Sequence, residues 1–154
     1  MGSKQAVVLV AGAGLALVVL ASRPADAQSA HDACALVTQA QVASAAGAAV
    51  GAGQPIGTTG CSWSADPRAG AGRIMITLSI WGEKWFSRKS TPGVQRKDVA
   101  GIGDDAYSAA LGDLTSLFVK KGTSTLQVRV YGIHDAARQD AIERSIAKDA
   151  LARW

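Results

Sequence analysis

The sequence predicts an α+β fold: a single antiparallel sheet of four to six strands, with N-terminal and C-terminal helices packed mainly on one face. Three observations predict it. Residues 73–81 alternate strictly, with Ile74, Ile76, Leu78 and Ile80 on one face and Arg73, Met75, Thr77, Ser79 and Trp81 on the other. Two further strand-like runs, 114–121 and 125–131, meet across Gly122-Thr123 as a hairpin. Helical spacing with a capping residue occurs at both ends of the chain that follows residue 31.

The 154 residues, 48% hydrophobic and 18% charged, are enough for one globular domain with an ordinary core and too apolar for a disordered chain. A net charge of +4 is compatible with anionic surfaces but too small to point to nucleic acid.

Residues 1–27 have the grammar of a cleaved secretory signal peptide. Lys4 supplies a positive start, Ala6 to Ala21 form an uncharged apolar run short for a membrane span, and Ala25-Asp26-Ala27 places small residues at the two positions read by a signal peptidase. Cleavage is expected before Gln28, leaving residues 28–154 as one periplasmic or secreted α+β domain; the alternative is a leader retained as an anchor. Gly12-Ala13-Gly14 after Val7 to Val10 mimics a dinucleotide-binding turn, but no helix-plus-strand unit follows.

In the mature chain, Asp32 caps a short turn through Leu36, and Thr38 with Gln41 forms a capping box for a second helix that stops at Gly47. Residues 48–60 read as a loop, and Cys61-Ser62-Trp63 as a strand with Cys61 and Trp63 on one face. Residues 66–72 are a turn before the 73–81 strand. Residues 82–90 read as a short helix carrying Trp85 and Phe86, and residues 94–99 return to the sheet. Gly101 to Tyr107 reads as a tight turn. After the hairpin, Asp135 caps a last helix in which Ile142, Ile146, Ala147, Ala150 and Leu151 recur at helical spacing.

Cys34 and Cys61 are the only cysteines, and in an exported chain two lone cysteines point to a disulfide that ties helix to sheet. A redox or nucleophilic thiol is the alternative; it lacks a Cys-x-x-Cys spacing, and His31 alone stands near.

Asp32-Ala-Cys34-Ala-Leu36-Val-Thr38, Gly60-Cys61-Ser62-Trp63 and Val99-Ala-Gly101-Ile-Gly103-Asp104-Asp105-Ala106-Tyr107 together resemble a family of small exported bacterial proteins of unknown function, best known from actinobacterial lipoproteins. The resemblance implies an α+β domain with paired cysteines and a Cys-x-Trp strand, and it carries no catalytic residue. A lipid-attachment cysteine is missing here, since Cys34 follows His31-Asp32-Ala33.

Reaction chemistry finds little support. Gly101-x-Gly103-x-x-Ala106 lacks the helix that would aim amides at phosphate, and Asp104, Asp105 and Asp113 lack the alternating spacing of a calcium loop. His134 beside Asp135 reads as an exposed helix start, no Gly-x-Ser-x-Gly occurs, and two cysteines with two scattered histidines make no zinc site. No catalytic residue, metal or cofactor is therefore expected. The candidate binding surface is Lys84, Trp85, Phe86, Arg88, Lys89, Arg96 and Lys97, where basic groups interleave with aromatics and suit an anionic envelope component or partner protein; an ordinary solvated face is the competing reading. The expected function is a non-enzymatic binding module of the bacterial cell envelope. An inhibitor or accessory subunit of a secreted enzyme is the alternative, and a hydrolase a distant third.

Overall fold

In the computed structural model, which describes residues 32–65, 72–87 and 90–154, the first two helices form where their caps place them. The Asp32 carboxylate accepts from the Cys34 N–H and starts α1 (Ala33–Leu36). Thr38 and Gln41 close a full capping box on α2 (Gln39–Ala46), which stops at Gly47 with φ 65°, a left-handed angle that glycine adopts without Cβ strain. Residues 1–31, which include the expected signal peptide, residues 66–71, where a turn is expected, and Arg88 and Lys89 lie outside the described residues.

Seven antiparallel strands follow: β1 (Gln54–Ile56), β2 (Gly60–Ser64), β3 (Met75–Gly82), β4 (Gln95–Asp98), β5 (Asp105–Leu111), β6 (Leu114–Lys121) and β7 (Ser124–Tyr131). Their order across one sheet is β1-β2-β3-β7-β6-β5-β4, so the β6–β7 hairpin brings the second half of the chain against β3. The chain ends in α3 (Ala136–Leu151), begun by the Asp135 carboxylate accepting from the Arg138 N–H.

Three expectations need correction. Among the described residues the sheet has seven strands rather than four to six: β1 lies in the expected loop 48–60, and β5 begins inside the expected turn 101–107 and runs on to Leu111. β1 is three exposed residues centred on Pro55, an edge strand in which a missing N–H costs no rung. β5 carries Ala106, Ser108, Ala109 and Ala110, small residues of weak strand preference that pair on both sides with β4 and β6. In place of the short helix expected over residues 82–90, the described residues of this stretch hold a single 3₁₀ turn, Glu83–Trp85, none of whose residues is buried; without an apolar stripe to pack, a longer helix has nothing to hold it.

Strand alternation sorts the sheet into two faces. Cys61, Trp63, Ile76, Leu78, Leu117, Val119, Leu126, Val128 and Val130 share one face and are all essentially inaccessible. Cys34 of α1 is bonded to Cys61 on that face, with Cα atoms 5.1 Å apart. Gln139 and Glu143 of α3 bond Thr115, which has the same parity as Leu117. Ile142, Ile146, Ala147 and Ala150 of α3 are buried with this set, and each large aliphatic side chain so buried contributes roughly 1.5–3 kcal/mol. Among the described residues no helix is long and apolar enough to cross a membrane.

Candidate functional site

The second face of the sheet is made by the residues between those of the core. β3 contributes Met75, Thr77, Ser79 and Trp81; β7 contributes Gln127, Arg129 and Tyr131; β6 contributes Ser116, Phe118 and Lys120; β5 contributes Tyr107 and Ala109; β4 contributes Arg96. This face is aromatic and basic. Trp81 packs against Trp85 of the 3₁₀ turn with centroids 4.9 Å apart, and its Nε1–H donates to Gln127 Oε1 at 3.2 Å. Across the sheet, Phe86, Tyr107 and Phe118 form a continuous ring contact at 5.2 and 5.0 Å. The Tyr107 hydroxyl donates to the Ser87 carbonyl at 2.9 Å and fastens the connection after β3 onto the face.

Two guanidinium groups stand among these rings. Arg129 is held by donating to Ser116 Oγ at 2.8 Å and to the Tyr131 hydroxyl at 3.1 Å. Arg96 lies 5.1 Å over the Tyr107 ring, and its Nε and Nη1 are buried with no hydrogen-bond partner among the described residues. Buried donors left unmade cost about 1–3 kcal/mol each, more for a charged group, so this arginine is held at the expense of stability. Both line a cavity of about 240 Å³ with Tyr107, Phe118, Leu111, Leu114, Ser116, Thr91 and Val94; among the described residues no carboxylate lines it.

Of the surface read from the sequence, Phe86 and Arg96 join this face through Tyr107, and Trp85 joins it through Trp81. Lys84 is exposed on the 3₁₀ turn. Lys97 falls on the opposite face, since it pairs with Ser108 and Ser108 with Leu117, and it lines a depression beside the start of α3. Arg129, Tyr107 and Phe118 complete the site together with Trp81, and the first three lie outside the surface expected from the sequence. For Arg129 the signal was present: Gln127, Arg129 and Tyr131 are the residues left over once Leu126, Val128 and Val130 are assigned to the core.

The residues weighed for catalysis are placed elsewhere. His134 and Asp113 are largely exposed at 86% and 81%, with Nδ1 3.7 Å from the carboxylate. Asp104 accepts from the Gly122 N–H at 2.7 Å, which holds its carboxyl below the usual range and makes it a turn brace. Among the described residues no three His, Cys, Asp or Glu side chains gather as a metal site.

One titratable group lies inside the core. Glu143 and Gln139 project from α3 to Thr115, just past the last β6–β7 rung at Ser116–Arg129. The Gln139 amide is oriented by its partners: Oε1 accepts from the Thr115 N–H at 3.1 Å, while Nε2 donates to the carbonyls of Asp113, at 2.9 Å, and Ile133. The Thr115 hydroxyl then lies 2.7 Å from Gln139 Oε1 and 2.9 Å from Glu143 Oε1, two oxygens for one proton. The hydroxyl is the donor to both and its single proton serves only one at a time, while Glu143 Oε2 is buried with no hydrogen-bond partner among the described residues. Burial pushes the Glu143 carboxyl up to about 7; the Thr115 hydroxyl and Val130 N–H oppose the shift, and Asp140 adds to it. The carboxyl therefore completes a structural network, with no access to a substrate.

Compared with known proteins, the chain matches no family model, no curated protein and no solved structure.

Proposed function

We propose that this chain is an exported, non-enzymatic binding module of the bacterial cell envelope, and that the aromatic, basic face of its sheet is the surface that binds. The observation that carries the reading is the division of labour between faces. With the helices packed mainly on one side, the core is complete there, and Trp81, Phe86, Tyr107, Phe118 and Tyr131 have no part in closing it. Rings interleaved with arginine are the composition that binding surfaces favour, because large rigid side chains lose little entropy on contact. Trp85 is 52% exposed at the margin of this face.

The Cys34–Cys61 disulfide supports export, since such bonds persist in oxidising compartments. The leader at residues 1–27 and the resemblance to small exported bacterial proteins point the same way, to the periplasm or the exterior. On this reading the protein acts by occupying a partner and turns nothing over, with no cofactor or metal.

The test is recovery from envelope extract on immobilised protein, with Trp85→Ala/Arg129→Gln and, as a control on the helical side, Ser145→Ala. The reading expects an envelope component retained by the wild type and the control and lost with the double variant. Equal recovery by all three proteins contradicts it.

A further inference from the structure

We infer that the cavity between β4, β5 and β6 on the second face is a binding site for a small organic anion, specifically a carboxylate attached to a short apolar or aromatic body. The inference rests on the proposed role of that face and goes on to name the chemistry it takes.

Two features of the cavity fix the charge of its occupant. Arg96 and Arg129 both line it, and among the described residues no carboxylate does. Arg129 is oriented in advance by Ser116 and the Tyr131 hydroxyl, whereas Arg96 keeps Nε and Nη1 buried with no acceptor among the described residues. Two lining guanidiniums whose charge no described lining carboxylate offsets suit an anion, and charge-assisted hydrogen bonds are the strongest contacts such groups form.

The remaining walls fix the body of the occupant. Leu111, Leu114 and Phe118 present apolar surface next to the arginines, which disfavours a bare hydrated ion such as phosphate. At about 240 Å³ the cavity has the room of about eight water molecules, below the range for drug-sized ligands, so the fit is to an acid of the size of benzoate or hexanoate.

Titration of the oxidised protein with benzoate, benzyl alcohol and inorganic phosphate, followed by amide NMR, tests this. Benzoate is expected to saturate with a Kd of about 1 mM or tighter and to move the amides of Ala109, Ser116 and Phe118, with benzyl alcohol and phosphate at least 10-fold weaker. Arg96→Gln, with its spectrum otherwise intact, is expected to weaken benzoate at least 10-fold. The inference is overturned by benzoate that binds no better than benzyl alcohol or phosphate, by unchanged affinity in Arg96→Gln, or by shifts confined to α2 and α3. In any of those cases, recovery of an envelope component that still depends on Trp85 and Arg129 leaves the broader reading standing, and loss of that dependence overturns both.

Discussion

Glu143 of α3 and Thr115 of β6 meet across the helix–sheet interface at 2.9 Å, and the hydroxyl between Glu143 and Gln139 has a proton for only one of them. Burial, against the opposing Thr115 contact, favours the neutral carboxyl. Its native pKa of about 7 stands above the ordinary 4.5, so the native state holds this proton more tightly than the unfolded chain does. Its contribution is fully present below about pH 4.5 and is lost as pH rises to about 7, an effect of about 3 kcal/mol.

Glu143→Gln keeps the shape and the donor of the protonated carboxyl. The variant and the wild type are expected to be similarly stable at pH 4, while at pH 8 the variant is the more stable by about 3 kcal/mol in urea unfolding. A stability difference that is the same at both pH values contradicts the assignment.

The Cys34–Cys61 bond closes a chain separation of 27 residues and ties α1 to a strand residue with no exposed surface. In the loop-entropy account it stabilises the fold by about 3.5 kcal/mol, so Cys34→Ala/Cys61→Ala should lower the melting temperature by about 10 °C. Thermal unfolding with and without reductant measures this. A reductant effect that persists in the double variant removes the bond as its cause.

Two glycines separate backbone freedom from space. Gly132 has φ +81° and a Cβ placed there meets the Arg73 carbonyl oxygen at 1.9 Å, whereas Gly112 has φ +58° and open space around it. Gly112→Ala should lose about 1 kcal/mol, the left-handed cost alone, and Gly132→Ala clearly more, because the β7–α3 turn must also move off the backbone of Arg73 and Ile74 just before β3. Equal losses in denaturant unfolding contradict the close approach.

How much of this was legible depended on whether side chains carried a periodic or capping signal. Asp32, Thr38 with Gln41, Gly47 and Asp135 mark helix ends through local hydrogen bonds, and those ends are observed where the residues stand. Ile76, Leu78 and Ile80 mark the core face of β3 for the same kind of reason, a two-residue repeat. β5 escaped because Ala106, Ser108, Ala109 and Ala110 are strand residues only by virtue of the partners on both sides. The site was half legible: Trp85, Phe86 and Arg96 are near in sequence, but Arg129 reaches Ser116 only through the β6–β7 ladder. Adjacency misled at Lys97, since neighbours on a strand point to opposite faces.

The central claim, that the aromatic face binds and the helical face serves the core, is tested most directly by site-specific photocrosslinking in the envelope fraction. A photoreactive side chain is placed at Trp85 in one protein and at Ser145, exposed on α3, in another. The account predicts a discrete crosslinked species from position 85 and none from position 145; a species formed from position 145 alone contradicts it.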